Sequence, residues 1–551
     1  MTTKTTGNTT SMRIGCGAGF AGDRIGPAAD LLDRGDLDVL VLECLAERTI
    51  ALGHRRRLQD PARGYEPRLR ARLSELLPRA ARRRVPIVSN MGAANPRAAG
   101  EAARELAREL GLDGLRIAVV TGDDVLDRID LSAPALEDGR PLAEHGPVIS
   151  ANAYLGADAL MPALAAEADV VLTGRVADPS LFLAPLAHGL GWDPDDLPRV
   201  AAGTVVGHLL ECAGHLTGGY FADPGRKDVP GLADLGFPFA DVDAAGTAEI
   251  GKLTGTGGLV SRATVREQLL YEITDPAAYL TPDVVLDLRG VTVEDVRPDV
   301  VRVRGAAGRP RPDTLKVSVG YQAGHRAEAE ISYAGPNARR RAELAGEIVA
   351  DRLGRAGVRP RTDASARPTR SAACASRRSR PRPTAPTTSA TRSRPSTPTD
   401  PPGEAASAPG RTRSSASCRP CCPAKPSFPP RTAWRSPVRT KLHDVAHARA
   451  GDKGDTSTIS VFPYRDEHYA DLVRELTPDA VRRHLGVRGD VVRYELPNLC
   501  ALHFVCRQSL DGGVTTSLAL DTHGKSLSSH LLSLEIDVDS GGLPLTTGGD
   551  G

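Results

Sequence analysis

No stretch of the 551 residues has the length and apolarity of a membrane span, and no secretory h-region is present. Cysteine is sparse: nine residues suggest no disulfide framework and fit a reducing cytoplasm. Net charge is almost absent, at a formal +2, and recommends neither a nucleic-acid partner nor an acidic membrane surface. No internal repeat of fixed period is visible. What the chain does have, 40% hydrophobic and 25% charged residues, suffices for two or three domains with a sizeable core and excludes a fibrous or wholly disordered protein. The first eleven residues are small and polar, and Met12 stands directly before an apolar strand, so residues 1–11 read as a disordered tail or an overlong start.

One absence is local. Residues 361–440 contain no Leu, Ile, Met, Tyr, His, Asn or Gln and cannot build a core. They carry 16 Lys and Arg against 3 Asp and Glu, which leaves the rest of the chain acidic, at a net −11. Ser, Pro, Thr, Ala, Arg, Gly, Cys and Trp, whose codons carry C or G at the second position, make up 74 of these 80 residues. In a GC-rich gene the third codon position is almost always G or C, and a frame slipped by one nucleotide moves that bias to the second. Residues 359–438 therefore read as a basic, low-complexity, disordered segment, out of frame between two compensating frameshifts. A genuine Pro/Ser-rich linker or a nucleic-acid-binding arm is the alternative. Cys418 and Cys421 have CxxC spacing, but without a second ligand pair or a βαβ context they are set aside.

On either side the pattern is that of folded protein. The runs RIGCG (13–17), LDVLVLE (37–43), VPIVSN (85–90), LRIAVVTG (115–122) and ADVVLTG (168–174) alternate with stretches such as PRLRARLSELLPRAARR and PRAAGEAARELARELG, whose apolar residues recur near every 3.6. This predicts, over residues 12–358, an α/β domain with a largely parallel, Rossmann-like sheet and helices on both faces. Chemistry in such a sheet sits at the carboxyl ends of the strands. Residues 439–540 predict a small α+β unit. It comprises a strand (KLHDVAHARA), a Gly/Asp loop, a strand (TISVFPY), a helical stretch (HYADLVRELTPDAVRRHLG), strands near VVRYELP, ALHFVCRQ and TSLALD, and a last helix or strand from Lys525 to Ile536. Residues 541–551 read as a second disordered tail.

Several loops carry chemistry-bearing residues. Gly15, Gly17, Gly19 and Gly22 with Asp23 form a glycine-rich turn after the first strand. Gly17, Gly19 and Gly22 satisfy GxGxxG, and Glu43 ends the next strand, where a ribose-binding acid would lie. Gly26-Pro27 predicts a helix that starts later, with Pro27 first, so a wider anion-cradling loop or a plain tight turn are the competing readings. The later strands lead into Glu43 to Thr49, Asn90 to Pro96, Thr121 to Asp124, and Thr173 to Ser180 with Arg175 and Asp178. Each offers groups that orient a polar substrate and move protons, although Asp178 also has the spacing of a cap for a helix starting at Pro179. Glu43, Glu47, Asp123 and Asp124 could hold a divalent cation, but their spacing fixes no geometry. Glu211 and His215 are four apart and would share one face of a helix as a proton-transfer pair, with Cys212 a less favoured nucleophile. A His packed at a helix end is the plain alternative. Asp452 and Lys453 sit in a charged turn whose default is a solvated hairpin, yet the two charges could reach a neighbouring domain.

Together the strings GCGAGFAGDR, DLDVLVLECLAERT, GYEPRL, NMGAANPRAA, VTGDDVL, LTGRVADPS, HLLECAGHLTGGYFADPG and GTGGLVS resemble the acyclic terpene utilisation AtuA family. ARAGDKGDTSTISV, YELPNLCALHFV and SLALDTHGKSLSSHLL resemble its ferredoxin-like C-terminal domain. The resemblance covers about residues 12–358 and 439–537 and stops across 361–440. It implies a place in bacterial breakdown of citronellol- and geraniol-type isoprenoids, which proceeds through branched acyl-CoA thioesters. The leading expectation is a cytoplasmic hydratase- or lyase-like enzyme with acid–base chemistry next to a thioester or carboxylate. Glu211, His215, Glu43 and Asp124 are the candidate proton carriers. The candidate binding groups are Gly15, Gly17, Gly19, Gly22, Asp23, Asn90, Asn95, Arg175, Asp178, Asp452 and Lys453. The expected partner is a small molecule, a CoA thioester among the candidates, with no nucleic acid and no membrane; a homo-oligomer is compatible with this. No cofactor is obligatory, and a divalent cation is an option. Three alternatives remain: an NAD(P)-dependent oxidoreductase, which requires the first helix to start at Gly22; a non-enzymatic binding or scaffold protein; and a metal-dependent phosphohydrolase using Asp123 and Asp124.

Overall fold

A computed structural model describes residues 10–324, 327–358, 438–514 and 517–539. The segment read as out of frame, apart from Val438, and nearly all of both expected tails lie outside the described residues. The described residues divide into two compact units, residues 330–358 forming one and all the rest the other. The smaller unit is built on the helix Ala338–Arg355, tied along its length by the ion pairs Arg339–Glu343 and Arg355–Asp351.

Among the described residues the larger unit contains a nine-stranded sheet, made of β1 (Ser11–Ala18), β2 (Val39–Leu42), β3 (Ile87–Ser89), β4 (Ile117–Val120), β5 (Val170–Thr173), β6 (Pro238–Asp243), β7 (Ala248–Lys252), β8 (Thr292–Arg297) and β9 (Val300–Arg304) in the order β8-β9-β7-β6-β1-β2-β3-β5-β4. The five strands read from apolar runs are the five mutually parallel ones, β1 to β5. Their central members are buried throughout, which is why they read as continuous apolar runs rather than alternating ones. The other four join antiparallel beside β1. In β6 burial alternates residue by residue, so Asp241 and Asp243 break the apolar run that marks the parallel strands. The first strand begins at Ser11, inside the expected tail, because its backbone pairs with Asp243.

Helices Gly26–Arg34, Leu69–Arg83 and Pro96–Glu109 pack side by side as one group, and Ser180–Leu190 with Leu197–Leu210 as another. Both groups contribute leucines and alanines to one core with the sheet.

The C-terminal part adds an antiparallel sheet of β10 (Ala446–Lys453), β11 (Thr456–Pro463), β12 (Val491–Leu496) and β13 (Ala501–Cys506), ordered β10-β11-β13-β12. The expected single strand KLHDVAHARA is interrupted: Val438–Lys441 pairs with Glu535–Val538, and a short helix, Leu442–Val445, precedes β10. The expected long helix is two, Tyr469–Glu475 and Pro478–Leu485, because Thr477 caps the second and Pro478 has no N–H to continue the first. The described residues of TSLALD form no strand; Ser517 instead caps a turn by accepting from the Ala519 amide at 3.1 Å.

The period-two pattern of β10 splits its side chains. Ala446, Ala448 and Ala450 join a core with Leu472, Val481 and Leu531 of the helices. His447, Arg449 and Lys453 meet the larger part of the unit instead, where His447 Nδ1 contacts Glu267 at 2.5 Å. Phe462, Leu499 and Ala501 join the main core.

Candidate active site

The polar loops predicted at the carboxyl ends of the parallel strands are linked to one another. Glu43, directly after β2, is buried, and its Oε1 accepts from the Leu45 amide at 2.7 Å and from Asn90 Nδ2 at 3.0 Å. Asn90 Oδ1 accepts from the Cys44 amide at 2.7 Å, so Asn90 clamps the loop after β2 with the groups expected to bind an anion. Burial, then the charge of Asp178, pushes the Glu43 carboxyl well above the ordinary range.

Asp178 is not a helix cap. Pro179 holds that position before Ser180–Leu190, and Asp178 pairs instead with the buried guanidinium of Arg175, a stronger partner than a backbone N–H. Arg175 also donates to the Leu45 carbonyl, lies 4.3 Å from the Tyr154 ring centre, and through its amide donates to Asp123 Oδ2 at 2.8 Å. Burial pushes the Asp178 carboxyl up to about 7 against the pull of Arg175, with Glu211 and Glu47 adding to the rise. Its side chain is 31% exposed and therefore reachable. Glu47 goes the other way. Half-exposed, it is held far below the carboxylate range, against partial desolvation, by Lys453, Lys316 and Arg175, and Tyr154 donates to it at 2.5 Å.

The glycine-rich turn is largely filled by its own chain. Gly15 and Gly17 lie inside β1, and Asp23 accepts from the amides of Gly19 at 3.1 Å and Arg24 at 2.9 Å. Buried Arg72 donates to the carbonyls of Ala21 at 3.0 Å and Asp23 at 2.9 Å. A Cβ on Gly19 would lie 2.5 Å from the Cys212 carbonyl carbon, so this glycine permits a close backbone approach. Gly22 lies in the turn, and the first helix begins at Gly26, one residue before Pro27. The dinucleotide reading needed a start at Gly22 and does not have it.

The Glu211–His215 pairing on one helical face does not form either. Leu197–Leu210 stops just before Glu211, and His215 sits in a separate turn, Ala213–His215. Glu211 Oε1 lies 3.2 Å from His208 Nδ1. His215 Nδ1 lies 3.0 Å from Arg449 Nη2, and a guanidinium only donates, so the ring is neutral with its hydrogen on Nε2. Burial first, then Arg449 and Lys525, pushes the imidazole down to about 3. Burial, reinforced by Glu211, raises the Cys212 thiol far above its ordinary value, which removes it as a thiolate nucleophile.

The charged turn of the C-terminal part is not a solvated hairpin. Lys453 Nζ pairs with Glu272 at 2.7 Å, and Asp452 pairs with Lys525 at 2.6 Å. Lys525 also reaches the Tyr271 hydroxyl at 2.5 Å. Despite its burial, Glu272 is drawn down to about 2 by Lys453 and Lys525. A Cβ on Gly451 would fall 2.6 Å from Glu272 Cγ, so glycine lets β10 run against that side chain.

The sequence model of the acyclic terpene utilisation family protein AtuA matches residues 12–399, and that of the AtuA ferredoxin-like domain matches 440–537. The chain belongs to the AtuA family. The first match runs past Val358, where the motif resemblance stopped, into the basic segment. No curated protein and no solved structure matches the chain. Membership ties this AtuA-family chain to acyclic terpene utilisation.

The remaining expected residues sit apart from this network or serve it structurally. Asn95 caps the AtuA-family helix Pro96–Glu109 and donates to the Pro61 and Arg63 carbonyls. Asp123 is buried and accepts from Asn152 at 2.9 Å, while the half-exposed Asp124 faces Arg57 at 3.3 Å. Among the described residues no three His, Cys, Asp or Glu side chains converge as metal ligands, and no helix is long and apolar enough to cross a membrane. Sequence reasoning missed His208, Tyr154, Glu272, Lys316 and Lys525, and passed over Arg449 although it opens the charged turn. His208-x-x-Glu211 had a usable signal, the i,i+3 spacing within a helical run. The others have no local signal, since contacts such as Lys525–Glu272 span more than 250 residues.

Proposed function

We propose that this AtuA-family chain is a cytoplasmic catabolic enzyme of branched acyl-CoA breakdown, performing acid–base chemistry next to a thioester or carboxylate carbonyl. The observation that carries the reading is Asp178, a reachable carboxyl pushed up to about 7 beside Glu43 and Arg175. A group of that kind gives and takes protons at neutral pH. Lys453 and Arg175 supply positive charge for an enolate-like oxygen or an acid group. The neutral His215 would act as an Nε2–H donor rather than as a base.

The test is proton exchange, which does not require knowledge of the complete reaction. Isovaleryl-CoA and 3-methylcrotonyl-CoA are incubated with the full chain in D2O and analysed by mass spectrometry. Deuterium should enter the acyl group, and Asp178→Asn should slow this by about 10²-fold. A wild-type chain that neither binds nor labels these thioesters would overturn the reading.

A further inference from the structure

We propose that His208 and Glu211 form one proton-sharing unit, in which His208 positions Glu211 and the free Oε2 of Glu211 meets the substrate. The substrate-facing half rests on the acid–base reading above; the proton-sharing half stands on geometry alone.

His208 lies in the last turn of Leu197–Leu210 and is buried. Its Nε2 lies 3.2 Å from the Leu269 carbonyl and its Nδ1 3.2 Å from Glu211 Oε1. A carbonyl only accepts, so Nε2 carries a hydrogen. If the ring is neutral, Nδ1 is bare and Glu211 must donate to it as a carboxylic acid. If the ring holds both hydrogens, Glu211 accepts as a carboxylate. Either way a single proton lies between Nδ1 and Oε1, and the ring cannot turn without losing both contacts. Gln268 Nε2 donates to the His208 carbonyl at 3.3 Å and braces the same turn.

The second carboxylate oxygen is the unusual atom. Among the described residues Glu211 Oε2 is buried without a hydrogen-bond partner, a condition that costs free energy unless a ligand supplies a donor. The titratable groups around the pair come from every side: Cys212 next in the chain, Asp178 from the loop after β5, Tyr279 with its ring 5.8 Å from that of His208, and Lys453 and Glu272 beyond Tyr279. In the charged form of the pair, Oε2 takes a proton from the substrate, whose bonding electrons stay on the atom that loses it. The same proton returns to a second substrate atom and restores the carboxylate, while His208 keeps its two hydrogens.

The first measurement needs no turnover. In the full chain with 15N-histidine, His208→Gln assigns the ring signals; in the chain with 13C-glutamate, Glu211→Gln assigns the infrared carboxyl band. The expected result is a protonated Nε2, an Nδ1 shift between those of bare and protonated nitrogen, and a Glu211 midpoint displaced by about one pH unit or more in His208→Gln. A bare Nε2, or a midpoint unmoved by His208→Gln, overturns the proton-sharing unit. If His208→Gln does not fold, the wild-type His208 signals are assigned through their change in Glu211→Gln and decide the same point. Deuterium exchange into 3-methylcrotonyl-CoA then tests the substrate-facing half. Loss in Glu211→Gln with a displaced pH profile in His208→Gln supports it, and exchange unaffected by Glu211→Gln overturns it. A wild-type chain with no exchange fails the acid–base reading and the substrate-facing half, while the nitrogen and infrared signals still decide the proton-sharing unit.

Discussion

Arg175 and Arg449 are both buried guanidiniums, but Arg175 pairs with a carboxylate and Arg449 faces a neutral imidazole. Around Arg175, at the ends of the parallel strands, burial raises Asp178 against the pull of the guanidinium and raises Glu43, with nearby carboxylates adding to both. Around Arg449, where β10 meets the larger part, basic neighbours keep His215 neutral and Glu272 ionised. Burial penalises charge in both places; at Glu272 two lysines outweigh it, and at Asp178 the guanidinium does not. On the acid–base reading, one surrounding supplies a movable proton and the other fixed positive charge.

The largest effect should come from removing Arg175, the cation that is paired with a carboxylate. Arg175→Met leaves Asp178 without its ion-pair partner and should cost about 3 kcal/mol in urea-induced unfolding. Arg449→Met removes a cation that faces a neutral imidazole and the Tyr220 and Tyr271 rings, and should cost only about 1 to 2 kcal/mol. Equal losses would erase the contrast between the two surroundings.

Stability against pH sharpens it further. Asp178 titrates near 7 folded against 3.8 ordinarily, so between those values the folded chain holds the extra proton and stability falls as pH rises. His215 titrates near 3 folded against 6.5 ordinarily, so there the unfolded chain holds the extra proton and stability rises with pH. Asp178→Asn should remove the falling component and His215→Gln the rising one, each read from unfolding midpoints between pH 4 and 7. A shared change of sign in both variants would refute the assignment.

The smallest effects concern glycine. Gly19→Ala forces a methyl onto the Cys212 backbone and should cost about 1 to 3 kcal/mol, whereas Gly26→Ala meets nothing within 4 Å and should change thermal stability little or slightly raise it. If both were neutral, the close approach at Gly19 would not be a constraint.

The parallel half of the sheet was legible because burial on both faces writes itself as VLVL or VVLT. The antiparallel half was not, because alternation in β6 mixes Asp with Phe and Val within one strand. Within the site, Glu43, Arg175, Asp178 and Lys453 were visible as polar residues in loops or turns. Their roles were not, since Asn90 and Asp23 turn inward to hold the chain and Glu211 answers to His208 three residues before it. GxGxxG misled for a physical reason: the first of its three glycines, Gly17, lies inside β1, and Asp23 satisfies the amides a phosphate would have used.

The seating of Lys453 against Glu272 also sets an order in time. The ribosome delivers Glu272 about 180 residues ahead of Lys453, an interval of roughly 10 to 40 s at ordinary elongation rates. Throughout that interval the larger part lacks Lys453, Lys525 and Arg449. The emerging chain thus carries Glu272 and His215 without their cationic neighbours until its last hundred residues are made.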